Sequence, residues 1–357
     1  MKKQYYNIAN MLATDAQYMI LLGERSNGKS YQVKKTVIEA AMEGKRFVYL
    51  RRWQEDVKAS SVEQYFTDMP IKQITGGKWD GIKAYRDLIY FYKVGVKNEG
   101  EENETEEIIK GDTIGYYCAL NKAERYKSRA FPHVEYIIYE EFITNKMYIT
   151  NEPTELQQFV STVARDNKIH VMLVGNTLSR VCPYFNEWCL EGVLKQKQGT
   201  IEVYHFHVAD SVVDIAVEYC ANAKTQNMMF FGQAQKQIIS GEWDTKDVPK
   251  LPKPINEYDN VYEMIIVYQS FKFILQLLIS EEGGKICFVY PFTEKRKEPL
   301  RKITEEFSDS IYITNRLNTA IRAEAYIAEC FRLGKVCYSD NLTGADFTNV
   351  RAQFSFV

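Results

Sequence analysis

The sequence predicts a doubly wound α/β fold for residues 1–206, followed by a smaller α/β unit. Apolar runs of strand length alternate with stretches in which apolar residues recur at helical spacing. This alternation is typical of a mostly parallel sheet with helices on both faces. A glycine-rich loop joins the first such strand to the first such helix, as in many α/β folds that bind phosphate groups.

Each predicted strand is a short run of mainly aliphatic, aromatic or β-branched residues. These runs are Tyr18–Leu22, Phe47–Arg51, Val134–Tyr139, His170–Gly175 and Ile201–Phe206. The predicted helices between them are Lys29–Glu43, Ser61–Thr67, Glu152–Asp166 and Phe185–Leu194. Gly44 directly follows the first helix and marks its end.

One insertion interrupts the alternation. Residues Ala84–Val96 and Glu107–Leu120 each alternate with period two, and the acidic tract 98–106 separates them. We interpret this pattern as a long β-hairpin insertion with an acidic tip. The tip is either a solvated loop or a docking or repulsive element.

The C-terminal part divides into a linker and a small unit. Residues 207–255 are predicted to form a helical linker, because an amphipathic stretch near Val212 is followed by closely spaced prolines from Pro249 onward. Residues 256–357 are predicted to form an α/β unit. Its strands are Val261–Tyr268, Lys272–Ile279, Lys285–Phe292, Ser310–Thr314 and Lys335–Tyr338, and its helix lies near Thr319–Arg332.

The composition fits an ordinary soluble globular protein, with 45% hydrophobic and 26% charged residues. The seven cysteines form no C-x-x-C pair, which argues against a zinc site or a disulfide framework and favours a reducing compartment. We find no signal peptide and no apolar run that would span a membrane, so we expect no membrane partner. Because the net charge is −2, nucleic acid would have to be bound through local patches.

Residues 23–30 read G-x-x-x-x-G-K-S, the phosphate-cradling loop of P-loop NTPases. The glycines let the backbone N–H groups point at phosphate oxygens, Lys29 reaches the β- and γ-phosphates, and the Ser30 hydroxyl binds Mg²⁺. We therefore predict ATP and Mg²⁺ as cofactors. The predicted nucleotide-binding residues are Gly23, Glu24, Arg25, Ser26, Asn27, Gly28, Lys29, Ser30 and Tyr31.

Hydrolysis requires acids near the phosphates, and the strand Val134–Tyr139 leads directly into Glu140 and Glu141. We assign Glu140 to the magnesium shell and Glu141 as the catalytic base or water-orienting residue. The usual first acid of such a motif is Asp, so Glu140 has a longer side chain that must still satisfy the octahedral geometry of Mg²⁺.

Three further residues are candidates for sensing or neutralising the γ-phosphate. Asn176 follows the strand that ends at Gly175, at the edge where α/β sheets bind ligands, although it could also be a turn residue. Arg25 in the loop and Arg165 at a helix end could each neutralise transition-state charge, Arg25 in cis and Arg165 from a neighbouring subunit. Arg165 could instead stabilise the helix C-terminus.

These motifs leave three functions open. The first is a ring translocase that couples ATP hydrolysis to DNA movement. The second is another P-loop enzyme such as a nucleotide or small-molecule kinase, which would need an arginine-containing lid. The third is a scaffold that binds ATP without hydrolysis, and the pair Glu140–Glu141 argues against it.

Several ordered stretches resemble one family: the DNA-packaging motor ATPases of small podophages of the phi-twenty-nine group. They span about the first 180 residues. The stretches are Tyr6-Asn7, Gly28-Lys29-Ser30-Tyr31, Val48-Tyr49-Leu50-Arg51-Arg52, Lys127-Ser128-Arg129-Ala130-Phe131-Pro132, Ile137-Ile138-Tyr139-Glu140-Glu141-Phe142 and Gly175-Asn176.

The resemblance implies an additional-strand, catalytic-glutamate NTPase that forms a homopentameric ring on the portal, or connector, of an empty prohead. Such a ring translocates double-stranded DNA and has one ATP site at each subunit interface. A structural packaging RNA is a further candidate partner. The expected location is the host cytoplasm, with transient docking on the prohead.

By position, the resemblance implies that Arg165 is a trans-acting arginine, Lys127 an interface lysine and Lys58 a DNA-contacting lysine. It also implies a C-terminal domain like an RNase H nuclease that has lost its active site. The sequence agrees, because the strand Val261–Tyr268 has no central Asp, and Asp340 and Asp346 follow the last strand without evident partners. We expect no nuclease activity.

Overall fold

The computed structural model describes residues 6–97, 105–165, 167–190, 192–208, 211–221 and 247–354. The chain forms two units. The described residues of the first unit lie within Met1–Ile143, Ile149–Thr177 and Gly192–Gly241. Those of the second lie within Thr144–Tyr148, Leu178–Glu191 and Glu242–Val357, so two short segments that precede residue 192 belong to the second unit.

The first unit is an α/β unit built on one sheet. Its strands are β1 (Tyr18–Leu22), β2 (Arg46–Arg51), β3 (Gly81–Tyr85), β4 (Leu88–Lys97), β5 (Thr105–Ala119), β6 (Val134–Glu140), β7 (His170–Val174), β8 (Ile201–Val208) and β9 (Ser211–Tyr219). Its helices are α1 (Ala9–Leu12), α2 (Lys29–Met42), α3 (Ala59–Phe66), α4 (Ile71–Ile74) and α5 (Glu152–Ala164).

The strand order of this sheet is β3-β4-β5-β2-β6-β7-β1-β9-β8. All neighbours from β5 to β9 are parallel, whereas β3, β4 and β8 pair antiparallel at the two ends. The carboxyl ends of β6, β7 and β1 therefore lie side by side, with β7 between the other two. The buried apolar side chains of α2 pack on this sheet through Val33, Val37 and Ile38.

The segment after β8 corrects the predicted linker 207–255. Ser211–Tyr219 is the strand β9, paired parallel with β1, and not the start of a helix. Its residues 215–218 are all buried. The sequence of a strand that is covered on both faces is a continuous apolar run, and periodicity alone cannot distinguish such a run from a helix. The sheet of the first unit thus extends past the predicted boundary at residue 206.

The hairpin insertion is confirmed, with one correction. The predicted strand Ala84–Val96 is broken into β3 and β4 by a tight turn at Arg86 and Asp87, which both have positive φ. Such turns suit the twist of an antiparallel hairpin. Residues 98–104, most of the predicted acidic tip, lie outside the described residues.

The second unit combines a mixed sheet with helices. Its strands are β10 (Tyr258–Tyr268), β11 (Phe271–Ser280), β12 (Lys285–Pro291), β13 (Lys302–Thr304), β14 (Ile313–Thr314) and β15 (Val336–Tyr338). Its helices are α6 (Pro183–Glu187), α7 (Arg322–Arg332) and α8 (Asn341–Arg351). The strand order is β14-β13-β10-β11-β12-β15, in which β10, β11 and β12 are antiparallel and the remaining pairs are parallel.

Asp340 and Asp346 have partners that the sequence did not indicate. Asp340 is the N-cap of α8 and accepts a hydrogen bond from the Thr343 backbone N–H at 2.7 Å. Asp346 pairs with Arg180 at 3.3 Å. In the part of the chain that the structure describes, no group of three or more His, Cys, Asp or Glu side chains could hold a metal ion. The helices described are too short or too polar to cross a membrane.

Candidate functional site

The loop after β1 has the backbone shape of a phosphate-binding loop. Gly23 and Gly28 have φ of 148° and 100°, a region that residues with a Cβ atom rarely adopt. A Cβ at Gly23 would also lie 3.0 Å from Asn27 Nδ2. Gly28 is the N-cap of α2, so the loop leads directly to backbone N–H groups that have no partner within the helix.

Asn27 indicates what kind of ligand fits this loop. Its side chain is buried, and its Oδ1 accepts a hydrogen bond from the Lys29 backbone N–H at 3.1 Å. Its Nδ2 has no hydrogen-bond partner within the described ranges. A buried donor without a partner costs about 1–3 kcal/mol, and an oxygen of a bound phosphate would satisfy it. The loop therefore fits an anionic ligand.

Lys29 connects the loop to the end of β7. Its Nζ donates to the Glu24 carbonyl oxygen at 2.6 Å and to Asn176 Oδ1 at 3.4 Å. Burial lowers the pKa of Lys29 to about 8, because the ammonium group is poorly solvated there. A phosphate group would supply a counter-charge directly at this ammonium group. The predicted phosphate-binding lysine and the predicted γ-phosphate sensor, Lys29 and Asn176, are thus in contact.

Glu140 ends β6 and is buried. It accepts a hydrogen bond from the Tyr65 hydroxyl at 2.6 Å, and the nearby Ser30 hydroxyl favours its charged form. Burial raises the pKa of Glu140. Mg²⁺ prefers oxygen ligands and takes only one or two carboxylates besides water and substrate phosphates. The hydroxyl of Ser30 and the carboxylate of Glu140 therefore fit a magnesium ion.

Glu141 differs from its neighbour in both backbone and environment. It has a φ of 57°, and its backbone N–H donates to the Val174 carbonyl at 2.9 Å. Its side chain is 65% exposed and accepts a hydrogen bond from Arg51 Nη2 at 2.6 Å. The two adjacent acids thus point into different surroundings, as their predicted roles require.

Arg52 holds the backbone at Glu141. Its Nη1 and Nη2 donate to the carbonyl oxygens of Glu141 and Phe142 at 3.2 and 2.6 Å. Its Nε and Nη2 also donate to the buried carboxylate of Glu152 at 2.7 and 3.0 Å. The two arginines at the end of β2, Arg51 and Arg52, therefore contact Glu141 at both its side chain and its main chain.

The profile of the Podovirus DNA encapsidation protein (Gp16) family matches residues 1–79 and 90–225. The matched ranges include the phosphate-binding loop, both glutamates and Asn176. They cover more than half of the chain. This chain belongs to the Gp16 family. The unmatched stretch between them coincides with β3 and the turn before β4.

Curated relatives of this Gp16-family chain are DNA packaging proteins. That of Bacillus phage phi29 is 29% identical over 193 residues, which cover 52% of this chain and 50% of the relative. That of Bacillus phage B103 is 29% identical over 180 residues, which cover 49% of each. The chain thus spans about half the length of the curated relatives it matches.

Two solved structures share the fold over nearly the whole chain. The Phi-28 gp11 DNA packaging motor is 15% identical, with a TM-score of 0.51 and coverage of 100% of this chain and 99% of that one. The bacteriophage Phi-29 viral genome packaging motor assembly is 18% identical, with a TM-score of 0.53 and coverage of 98% and 99%. At these identities the likeness concerns the fold.

Of the other predicted binding residues in this Gp16-family chain, Glu24 is buried and three lie at the surface. Arg25 and Ser26 are exposed, and Ser26 has a φ of 62°. Tyr31 is 36% exposed on the first turn of α2. Arg25 therefore remains a candidate for a cis contact, in a position that a ligand could reach.

Arg165 does not lie at this site. It follows α5 at the amino end of β7, on the sheet edge opposite Asn176, so it cannot act on the phosphates of its own loop. Its Nη2 donates to the Arg129 carbonyl at 3.3 Å. Lys127, two residues before Arg129, pairs with Glu124 at 2.6 Å. Both Arg165 and Lys127 are exposed.

Lys58 is the exposed N-cap residue of α3. Sequence reasoning did not assign roles to Arg51, Arg52 and Tyr65, which contact Glu140 or Glu141. Arg51 and Arg52 belong to a stretch that resembles the family, but nothing in the sequence indicates what they contact. Tyr65 and Glu140 are 75 positions apart, so no local sequence pattern predicts their contact.

Proposed function

We propose that this chain is an ATPase that hydrolyses ATP, with Mg²⁺, to move double-stranded DNA into a phage prohead. The observation that carries the proposal is the meeting of Lys29, Ser30, Glu140, Glu141 and Asn176 at the carboxyl ends of β1, β6 and β7. Open α/β sheets bind ligands at this edge. Membership in the Gp16 family supports DNA packaging as the task.

The position of β7 between β1 and β6 supports the additional-strand, catalytic-glutamate type of P-loop NTPase. In this assignment Lys29 leaves the Glu24 carbonyl to bind the β- and γ-phosphates, and Ser30 and Glu140 hold the metal. Bound Mg²⁺ neutralises charge on the phosphates. Asn176 reaches the γ-phosphate from beside Lys29.

Glu141 is the proposed base that orients the attacking water and accepts its proton. Arg51 contacts only one oxygen of this carboxylate, Oε2, so a rotation of the Glu141 side chain can direct its other oxygen at the water. Because the Glu141 side chain is 65% exposed, this rotation costs little, about 1 kcal/mol or less. The Arg52 contacts keep the backbone of Glu141 in place meanwhile.

A ring is proposed because Arg165, the trans-acting arginine that the family resemblance implies, lies at the sheet edge opposite its own Asn176. Arg165 and Lys127 are exposed and linked through the segment at Arg129, so both could reach a neighbouring subunit together. An arginine supplied in trans commonly completes NTPase sites. Following the family resemblance, we propose a homopentamer with one ATP site at each interface.

Lys58 is proposed to contact DNA phosphates, since it is exposed at the start of α3. The portal of the prohead and a structural packaging RNA are proposed partners by resemblance alone. The proposed location is the host cytoplasm with transient docking on the prohead. In the second unit, the antiparallel strands β12, β11 and β10, followed by the parallel β13 and β14, support an RNase H-like fold. Because its first strand has no central Asp, we propose that this domain has no nuclease activity.

The decisive experiment measures ATPase activity with and without double-stranded DNA, together with the mass of the particle in solution. The proposal predicts that double-stranded DNA stimulates ATP hydrolysis, and that the rate of hydrolysis increases when the chain assembles into a larger particle. Phosphoryl transfer to a small acceptor, without stimulation by DNA, would instead identify a kinase.

A further inference from the structure

Helix α3 brings a hydroxyl group to the predicted metal-shell acid. Tyr65, near the C-terminal end of this helix, donates its hydroxyl hydrogen to Glu140 Oε1 at 2.6 Å. The distance is short for a hydroxyl–carboxylate contact, and such charge-assisted bonds are stronger than neutral ones. Glu140 is buried, so water does not compete freely for this oxygen.

Tyr65 is itself fixed from three sides. Its ring lies 4.6 Å from that of Tyr49 on β2 and meets Phe66 edge-on at 4.9 Å. Lys34 Nζ lies 4.9 Å from the ring centroid, donates to the Tyr65 carbonyl at 3.0 Å and pairs with Asp68. The phenol therefore has little freedom to turn away from Glu140.

The lysine that holds Tyr65 lies on α2 together with the predicted metal ligand. Ser30 and Lys34 are four residues apart and so lie on the same face of that helix. Lys34 contacts the carbonyl and the ring of Tyr65, and the Tyr65 hydroxyl donates to Glu140. The helix that follows the phosphate-binding loop thus carries both Ser30 and the residue that supports the partner of the acid.

We propose that Tyr65 is a positioning residue for Glu140. This inference rests on the proposed Mg²⁺–ATP site. A glutamate at this position has one more rotatable bond than the usual aspartate, and ordering it costs side-chain entropy. With Oε1 bound to Tyr65, the carboxylate is held in one orientation and its other oxygen stays available to the metal shell. Tyr65 acts through Glu140 and is assigned no contact with nucleotide.

The test compares the full-length chain with Tyr65→Phe, which removes only the hydroxyl group. Calorimetry would measure ADP binding over a range of Mg²⁺ concentrations and also in EDTA. We expect the Mg²⁺ concentration at half-maximal enhancement of binding to rise about tenfold, the lower end of the effect of losing an outer-shell partner of a metal site. Affinity for ADP in EDTA should not change.

Tyr116→Phe is the matched control. Tyr116 is also buried, but its hydroxyl accepts from Arg46 Nη1 at 3.0 Å, at the amino end of β2 and thus on the other sheet edge. This variant should keep the wild-type Mg²⁺ dependence. Thermal unfolding without nucleotide would establish that both variants fold.

A second substitution separates positioning from packing. The aspartate side chain of Glu140→Asp is one methylene shorter than that of glutamate. If the role of Tyr65 is to hold the longer glutamate side chain, Tyr65→Phe in the Glu140→Asp background should change the Mg²⁺ midpoint by less than about twofold. An equal effect in both backgrounds would overturn the inference, as would an unchanged midpoint in the single variant. If the wild-type chain shows no Mg²⁺-dependent ADP binding at all, the proposed function fails first, so the two failures are distinguishable.

Discussion

Replacing Arg52 with methionine is expected to lower the free energy of unfolding of the first unit by about 3 kcal/mol. Arg52 is 6% exposed and Glu152 is 1% exposed, and two hydrogen bonds at 2.7 and 3.0 Å join them. Removing one partner of a buried ion pair typically costs about 3–5 kcal/mol. Glu152 would keep the Tyr139 hydroxyl at 2.7 Å and the Ile149 N–H at 2.9 Å, which favours the lower end of that range.

The neighbouring residue provides the control. In the contact between Arg51 and Glu141, the side chains are 19% and 65% exposed. Water therefore solvates the Glu141 carboxylate when its partner is removed, and Arg51→Met should cost only about 1 kcal/mol. For a unit of 150–250 residues, about 3 kcal/mol corresponds to a fall in Tm of about 6–12 °C.

Circular dichroism on heating would measure both variants, and the transition that Mg²⁺–ADP shifts upward would identify the first unit. The reasoning is refuted if the two variants lose equal stability, or if Arg52→Met costs less than about 1 kcal/mol.

Three further predictions concern the site and the second unit. Glu141→Gln should retain Mg²⁺–nucleotide binding while steady-state turnover falls about 10²–10⁴-fold; a fall of less than about tenfold would exclude Glu141 as the base. Arg165→Ala should be inactive alone but recover partial activity when mixed with Glu141→Gln, because an intact site and an intact arginine then come from different subunits; no recovery at any ratio would contradict a trans role. Burial raises the pKa of Asp346 to about 6, so the Asp346 carboxyl binds its proton more tightly in the folded state than in the unfolded chain. The protonated carboxyl stabilises the fold below about pH 4. This stabilisation, up to about 3 kcal/mol, is lost as the pH rises through 6. The difference in free energy of unfolding between Asp346→Asn and wild type, measured in urea, should therefore be more favourable to the variant at pH 7.5 than at pH 4. A difference that does not vary with pH would count against this account.

The sequence located the core of the site because its parts follow local rules. The bounds of Tyr18–Leu22 agree with β1, and the loop after it is defined by eight consecutive residues. Glu140 and Asn176 are far apart in sequence, yet each follows a predicted strand of one parallel sheet. Parallel neighbours end at the same edge, so their meeting at Lys29 could be predicted.

The residues that support this core could not be predicted in the same way. Tyr65 and Arg52 reach across 75 and 100 residues to their acidic partners, and no local pattern identifies a tyrosine or an arginine as such a partner. The helix α8 was missed although Asp340 caps it, because the polar residues after the cap obscure its apolar spacing. The pairing of Asp346 with Arg180 spans 166 residues.

The place of β9 beside β1 has a practical consequence for fragments of this protein. A fragment cut at residue 206 would remove β9, and β1, the strand that leads into the phosphate-binding loop, would lose its neighbour on that side. The exposed backbone donors and acceptors of a five-residue apolar strand would then be free to pair with other molecules. A fragment that tests the proposed nucleotide site should therefore extend beyond Tyr219, and we expect a shorter one to aggregate.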